Sequence, residues 1–182
     1  MDHGASSYRR YLNGDEEAFH EIVKEYFDNL VFFIDRYVND YAVAEDLALD
    51  AFTQLVVNKH RYDFRVSLKT YLFMIGRSRA LDYIKHRSKH PTVELSEVNQ
   101  ADDEPSLEDM LLADERKCAV NEALSRLSEE MRLVVHLVYF EDLSPAETAK
   151  VLKKSRKQVY NLLYRAKVTL RTILGEEGER LL

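Results

Sequence analysis

The residues of this chain best suited to recognising another molecule are cations, amides and tyrosines that share one predicted helix. Between Lys150 and Arg171 the sequence has eight Lys or Arg residues and no acid. The side chains that helical spacing directs away from the apolar face there are Lys157, Tyr160, Asn161, Tyr164 and Arg165. Groups of these types hydrogen bond to phosphates and to base edges in the major groove of DNA. The segment is therefore predicted to bind duplex DNA.

Two helices joined at a tight corner must position these side chains. Ser144, Pro145 and Glu147 have the spacing of a capping box with proline at the first helical position, and Ser155 with Gln158 repeats that spacing. The second helix has an apolar face made of Val159, Leu162, Leu163, Ala166 and Leu170. This pattern predicts a helix-turn-helix whose second helix enters a major groove. The alternative is a helical hairpin that serves only packing. It accounts less well for two consecutive capping boxes in a segment whose charged residues are nearly all positive.

A second basic segment lies earlier in the chain and is rich in aromatic residues. Ser67 is predicted to cap a long helix that ends before Pro91. Tyr62, Phe64, Tyr71 and Phe73 are interleaved with Arg65, Lys69, Arg77 and Arg79. Such an arrangement suits single-stranded DNA, because bases stack on rings while cations follow the backbone. An aromatic core beneath a solvated basic face fits the same spacing, and the sequence leaves both interpretations open.

The net charge of −6 conceals a segregation of charge along the 182 residues. Residues 15–63 contain twelve acids and four bases, residues 64–89 seven bases and one acid, and residues 91–115 nine acids and no base. Alternating blocks of this kind indicate two nucleic-acid surfaces separated by an acidic segment, with a further surface for a protein partner.

The acidic N-terminal segment is predicted to form two helices. Asp15 caps the first, and Asp40 begins the second. In the second helix Val43, Leu47, Ala51 and Leu55 are predicted to face the core, whereas Asp46, Asp50, Gln54 and Phe52 are predicted to form an outer face. An exposed Phe beside acids suggests a protein-docking surface.

Composition excludes several classes of protein. A single Cys118 permits no intramolecular disulfide, the apolar runs are too short to span a bilayer, and the N-terminal MDHGASSYRR lacks the apolar core of a signal peptide. The chain has no phosphate-cradling glycine loop, paired CxxC motif or nucleophile motif. Asp82, His86 and His90 are spaced for a metal, but Pro91 disfavours helix at His90. We therefore expect a cytoplasmic protein with no membrane insertion, no catalytic residues, no cofactor and no metal.

Three segments together resemble a known family. They are AEDLALDAF at 44–52, FRVSLKTYLFMIGRSRALDYIKHR at 64–87 and LSPAETAKVLKKSRKQVYNLLYRAKVTLR at 143–171. In this order and spacing they resemble the bacterial sigma-70 family, in particular its extracytoplasmic-function (ECF) members. The resemblance implies an all-α fold with region 2 at residues 1–90, an acidic flexible linker at 91–114 and region 4 at 115–182. It also implies core RNA polymerase and promoter DNA as partners, together with an anti-sigma factor.

The resemblance further implies roles for individual residues. Core polymerase would dock on Asp46, Leu47, Asp50 and Phe52. The minus-ten promoter element would be captured and lined by Phe64, Arg65, Ser67, Lys69, Tyr71, Arg77 and Arg79. The minus-thirty-five element would be read by Lys154, Ser155, Arg156, Lys157, Gln158, Tyr160, Asn161, Tyr164 and Arg165. The chain departs from the family at the helix-turn-helix corner, where Lys153 and Lys154 replace Gly and an apolar residue, so Lys153 is expected to adopt a left-handed conformation.

Two other functions remain as alternatives. A stand-alone helix-turn-helix regulator would bind a palindromic duplex operator without polymerase. It would have no need of the second cationic, aromatic-rich segment at 64–89. An RNA-binding antitermination factor would prefer RNA to single-stranded promoter DNA.

Overall fold

The computed structural model describes residues 3–89 and 122–174, and all regular secondary structure in these ranges is helical. The α-helices are α1 (His3–Leu12), α2 (Glu17–Val38), α3 (Tyr41–Val57), α4 (Leu68–Lys89), α5 (Glu129–Val135), α6 (Pro145–Leu152) and α7 (Arg156–Leu174). A π-helical turn, His136–Phe140, continues α5. The all-α prediction is confirmed for these ranges. The predicted acidic linker at 91–114, His90 and the residues beyond Leu174 lie outside them.

The helices fall into two compact units. The first contains α1 to α4 together with residues 146–154, and the second contains the described residues 122–145 and 155–174. No helix within the described ranges combines the length and apolar character that crossing a bilayer requires.

The first unit is built around α2, which packs against α1, α3 and α4. Its core includes Ile22, Leu30 and Ile34, which recur at helical spacing and are fully buried. Gly76 of α4 permits a close approach, since a Cβ atom there would lie 2.8 Å from a methyl carbon of Leu30. The predicted starts of two helices are confirmed: a carboxylate oxygen of Asp15 accepts from the amide of Ala18, and one of Asp40 accepts from the amide of Val43.

The helix α1 was not predicted from the sequence, yet it is an integral part of the first unit. Tyr8 is fully buried, and Gly4 packs so closely that a Cβ atom there would lie 2.5 Å from the hydroxyl oxygen of Tyr26. The hydroxyl of Tyr8 donates to the carbonyl oxygens of Leu55 and Lys59 at 3.0 and 3.1 Å. This helix therefore fastens the end of α3.

In the second unit α5 packs against α7. Val134 and Leu137 are fully buried, as are Val159 and Ala166 of α7. The predicted helix from Ser128 to Phe140 is divided: its α-helical part ends at Val135, and the rest is the π-helical turn. Of the helix predicted for residues 115–127, the described part is helical at 122–125.

Candidate nucleic-acid interface

Residues 61–67, the part of the connection between α3 and α4 that leads into α4, are here called the capture loop. Internal hydrogen bonds fix its conformation. The hydroxyl of Tyr62 donates to the carbonyl oxygen of Val66 at 2.7 Å, and the amide of Arg65 donates to a carboxylate oxygen of Asp63 at 3.1 Å. Ser67 caps α4 as predicted, because its hydroxyl oxygen accepts from the amide of Thr70. These hydrogen bonds preorganise the loop in the absence of a ligand.

Phe64 occupies a strained position at the centre of the capture loop. Its φ is 60°, a left-handed conformation that is uncommon for a bulky residue. The half-buried ring lies 4.6 Å from the ring of Tyr62, measured between centroids. Strain of this kind costs about 1–3 kcal/mol and is concentrated in proteins at ligand-binding positions.

The four aromatic residues predicted to stack on DNA divide into two pairs. Tyr62 and Phe73 are buried, and the ring of Phe73 lies 4.9 Å from that of Phe33 in the core. Phe64 and Tyr71 are half-buried and remain partly accessible. Burial raises the pKa of the Tyr71 hydroxyl, with Asp63 adding to the rise and Arg61 opposing it. Tyr62 and Phe73 therefore belong to the core, whereas the stacking of bases on Phe64 and Tyr71 stays a prediction that their accessibility permits.

The cations predicted beside these rings differ in their surroundings. Arg65 is exposed and forms an ion pair with Asp63 at 3.2 Å, whereas Lys69 is half-buried with its ammonium 5.8 Å from the ring centre of Phe73. Arg77 and Arg79 are half-buried further along α4, and each has a buried Nε atom with no hydrogen-bond partner among the described residues. Arg79 also donates to the side-chain oxygen of Gln54 at 2.9 Å. Arg79 is therefore partly engaged in joining α4 to α3.

Helix α1 contributes residues to this site that the sequence interpretation missed. Tyr8 lies edge-on to Tyr62, with 5.6 Å between ring centroids, and 6.2 Å from the ring of Phe64. Burial raises the pKa of the Tyr8 hydroxyl to about 12, and the neighbouring hydroxyls of Tyr11 and Tyr71 add to the rise. The recurrence of Gly4, Tyr8 and Tyr11 at intervals of four and three was the available signal.

The helix α7 has the amphipathic arrangement that the sequence predicts. The five predicted core residues are all buried. The nine residues assigned to the minus-thirty-five element are all exposed except Lys154, which is half-buried. Tyr160 and Tyr164 are 58% and 71% exposed, so both rings are accessible to a ligand. The exposed side of α7, with its tyrosines, amides and cations, is here called the outer face.

Local hydrogen bonds define both sides of the helix-turn-helix corner. The amide of Ser155 donates to the side-chain oxygen of Gln158 at 2.8 Å, and the amide of Gln158 donates to the hydroxyl oxygen of Ser155 at 3.2 Å. This is the predicted capping box. Lys153 has a φ of 52°, which confirms its predicted left-handed conformation. The amides of Lys153 and Lys154 donate to the carbonyl oxygens of Lys150 and Ala149, which completes a Schellman motif.

Family models match both halves of the chain in sequence order. The model for sigma-70 region 2 matches residues 22–90, and the model for sigma-70 region 4 matches residues 119–170. The chain belongs to the sigma-70 family. The capture loop and α4 fall within region 2, whereas α6 and α7 fall within region 4.

Curated relatives of this sigma-70 protein include ECF sigma factors. It is 29% identical over 170 residues to the ECF RNA polymerase sigma factor BldN of Streptomyces coelicolor, covering 91% of this chain and 63% of BldN. It is 28% identical to the RNA polymerase sigma-H factor of Pseudomonas aeruginosa, covering 87% of this chain and 86% of that protein. It is 25% identical to the ECF sigma factor SigW of Bacillus subtilis, covering 92% and 95%. The chain thus spans less than two thirds of BldN and most of the other two.

Two solved structures share the fold. One is the sigma factor RpoE in complex with the anti-sigma factor NepR from Bartonella quintana, with a TM-score of 0.64, 20% identity and coverage of 87% of this chain and 97% of that one. The other is CnrH in complex with the cytosolic domain of CnrY, with a TM-score of 0.60, 20% identity and coverage of 94% of each chain.

One residue assigned to polymerase docking in region 2 is not on the surface. Phe52 is only 3% exposed, and its ring centroid lies 6.4 Å from that of Phe19 and 6.1 Å from that of Phe27. The prediction of an exposed Phe52 was wrong because α3 turns Ala44 and Ala48, rather than Val43 and Leu47, toward α2 and α4.

The remaining predicted docking residues do reach solvent. Asp46 and Asp50 are exposed and Leu47 is half-buried. Leu49, which lies between the two acids in the sequence, is 52% exposed. The sequence interpretation missed Leu49, although helical spacing places it beside Asp46.

Proposed function

We propose that this chain is an alternative sigma factor that binds core RNA polymerase and directs it to a particular set of promoters. The observation that carries the proposal is the match of region 2 and region 4 models to the two parts of the chain in the family's order. Members of this family are transcription initiation factors and act with polymerase rather than as enzymes. The chain would accordingly work in the cytoplasm.

In this proposal region 2 opens the promoter at the minus-ten element. Phe64 and Tyr71 present partly accessible rings, and Arg77 and Arg79 present cations along α4. Extruding a base from the duplex costs a few kcal/mol, which stacking on aromatic rings offsets. A capture loop already held by its own hydrogen bonds loses little further entropy when the base enters. Arg65, Ser67 and Lys69 flank this position and would contact the adjacent backbone.

Region 4 would read the minus-thirty-five element through the outer face of α7. Lys157 and Asn161 are one turn apart and both exposed. A lysine is suited to guanine and an asparagine to adenine in the major groove. Arg156 and Arg165 would contact phosphates and set the register of the helix.

Core polymerase would dock on the exposed part of α3. We assign this surface to Asp46, Leu47 and Asp50, add Leu49, and remove Phe52 because it is buried. An exposed leucine beside two acids combines apolar contact with charge that favours a basic partner surface. An anti-sigma factor is a further proposed partner, supported by the two structural relatives that were solved with NepR and with CnrY.

The experiment that tests the proposal is gel filtration of the purified chain with core RNA polymerase from its own host. The co-eluting complex is then used to transcribe fragmented host genomic DNA, and the transcript starts are sequenced. We expect co-elution and a common pair of upstream elements in the transcribed set. The Asp50→Lys variant serves as the control for docking and is expected to elute largely apart from polymerase.

A different outcome would identify one of the other functions. Failure to co-elute, together with binding of duplex DNA by the chain alone, would indicate a stand-alone regulator. Preference for RNA over single-stranded DNA of the same sequence would indicate an RNA-binding factor.

A further inference from the structure

Helix α1 places a cation directly on the capture loop. The guanidinium carbon of Arg9 lies 4.7 Å from the centre of the Phe64 ring, within the range of a cation–π contact. The preceding residue, Tyr8, is fully buried and packs against Tyr62 of the same loop. Because Tyr8 fixes α1 and Phe64 is fixed by its loop, the position of Arg9 follows from the fold and not from a chance surface contact.

The charge of Arg9 is not neutralised by any carboxylate within the described residues. Its neighbour Arg10 differs in this respect, with ion pairs to Asp15 at 2.7 Å and Glu21 at 2.9 Å. These acids raise the pKa of the Arg10 guanidinium, and the pairing with Arg10 lowers the pKa of Asp15. Arg65, which follows Phe64 in the sequence, is paired with Asp63. Arg9 therefore lies at this ring with no ion pair to a carboxylate of the described residues, so its charge is available to an anion.

We propose that Arg9 binds a backbone phosphate of the single-stranded promoter DNA held at the capture loop. The match to the region 2 model begins at residue 22, so Arg9 and all of α1 lie outside the segment to which the family assigns this task. The inference rests on the proposed function, since it requires the loop to hold single-stranded DNA.

The geometry explains why a phosphate is the suitable ligand. A guanidinium that lies over a ring uses its face for that contact and keeps its N–H groups, which lie in its plane, for acceptors at its edge. Phosphate oxygens accept two such bonds at once. When a nucleotide is extruded it rotates about its backbone, so its flanking phosphates remain beside the residues that hold the base. Phe64 thus has two roles in the proposal. Its ring positions the guanidinium of Arg9, and it lies beside the position that the extruded base would occupy.

The test uses the full chain and a fluorescent single-stranded DNA 12-mer, selected by the wild-type chain from a random pool. Dissociation constants are measured by fluorescence anisotropy between 50 and 200 mM KCl for wild type, Arg9→Ala, Arg9→Lys and Arg10→Ala. Arg9→Ala is expected to weaken binding about 3–10-fold at 50 mM salt and to lower the slope of log affinity against log salt by about 0.7, the value for one phosphate on single-stranded DNA. Arg9→Lys is expected to keep the wild-type slope.

Arg10→Ala is the matched control, because it removes one positive charge from the adjacent position of the same helix. It is expected to keep the wild-type slope, since Arg10 is engaged with Asp15 and Glu21. Equal slopes for Arg9→Ala and wild type would overturn the proposal, even if affinity fell, because the residue would then act only by holding Phe64. Equal losses in Arg9→Ala and Arg10→Ala would overturn it too, by showing a general effect of charge.

The outcome separates this inference from the proposed function. If the wild-type chain selects no single-stranded DNA, or selects DNA that Arg9→Ala binds with unchanged affinity and slope, the inference fails. The proposed function is decided separately, by co-elution with core polymerase, and fails only if the chain does not bind polymerase. Far-UV circular dichroism before each titration verifies that the variants are folded.

Discussion

The hydroxyl of Tyr8 donates a 3.0 Å hydrogen bond to the carbonyl oxygen of Leu55, across 47 positions of sequence. The same hydroxyl reaches the carbonyl oxygen of Lys59, so one side chain engages a carbonyl in the last turn of α3 and another just beyond its end. The ring of Tyr8 in turn supports the capture loop through Tyr62. Stability of the first unit and preorganisation of the proposed DNA site therefore depend on the same residue.

Replacing Tyr8 by Phe should lower the free energy of unfolding at pH 8 by about 1–2 kcal/mol, because the buried carbonyl oxygen of Leu55 and the partly buried one of Lys59 lose a donor while the ring is kept. The measurement is urea unfolding of the full chain followed by far-UV circular dichroism. The control is Tyr164→Phe, since the Tyr164 side chain is 71% exposed; its effect should be within about 0.5 kcal/mol. A Tyr8→Phe chain as stable as wild type would show that the hydroxyl contributes nothing.

The same residue should make stability depend on alkaline pH. The pKa of Tyr8 is raised to about 12 in the folded chain from 10.0, so the folded state favours the protonated phenol. Its contribution is fully present below pH 10 and is lost as the pH rises toward 12, at about 1.4 kcal/mol per pH unit. We expect the stability advantage of wild type over Tyr8→Phe to shrink between pH 10 and 11.5 in the same urea experiment. A constant difference would contradict the pKa rise.

At the helix-turn-helix corner, Lys153→Gly should stabilise the chain by up to about 1 kcal/mol. Lys153 has a φ of 52°, a conformation that a Cβ atom disfavours and glycine adopts freely. Its side chain is exposed, so little packing is lost. The comparison is Lys154→Gly, the next residue, which does not have positive φ and should gain nothing. The thermal unfolding midpoints of the two variants are compared with that of the wild type. A higher midpoint in both variants would indicate an effect of removing positive charge and not of the φ angle.

The parts of the fold that the sequence predicted correctly are those in which local signals agree. In α7 a capping pair, Ser155 and Gln158, precedes an apolar face at intervals of three and four residues, and both features appear as predicted. The left-handed Lys153 could also be predicted, because a helix that must end at a tight corner without glycine leaves a substituted residue in that conformation.

The parts that were missed depend on tertiary packing. In α3 the helix face that begins at Val43 and the face that begins at Ala44 are related by a shift of one residue. Both faces are apolar, so the sequence alone does not show which of them is buried. The chain chooses the alanines, which allow close helix contact and turn Phe52 inward. Helix α1 was missed because most of its side chains are polar, and its attachment through Gly4 and Tyr8 becomes visible only beside Tyr26 and Leu55.

On the outer face of α7, Asn161→Ala and Lys157→Ala should weaken binding of the holoenzyme to its own minus-thirty-five sequence. The loss is about 1–3 kcal/mol wherever a base contact is removed. Competition between promoter DNA and a variant with a scrambled minus-thirty-five element measures the specificity ratio. A fall in that ratio identifies a base contact, whereas equal loss on both DNAs identifies a phosphate contact. Arg171→Ala, in the last turn of the same helix, provides the comparison for loss of charge.

Because Phe52 is buried, its replacement should change the stability of the chain without changing its affinity for polymerase. Phe52→Ala should lower the free energy of unfolding by about 3–5 kcal/mol, because it opens a cavity beside the rings of Phe19 and Phe27. Phe52→Leu should cost less and leave the affinity for core polymerase unchanged, since the side chain does not reach the surface. Unfolding in urea and co-elution with polymerase supply the two measurements.

Asp50→Lys should weaken polymerase binding while leaving the stability of the chain nearly unchanged. The carboxylate of Asp50 is exposed, so its reversal should change stability by no more than about 0.5 kcal/mol. It should nevertheless weaken polymerase binding about tenfold or more, because like charges then meet at the interface. If Phe52→Leu weakened polymerase binding as strongly as Asp50→Lys while remaining folded, α3 would have to rotate on binding and present Phe52 to the polymerase. Unchanged binding by Asp50→Lys would instead remove this face of α3 from the interface altogether.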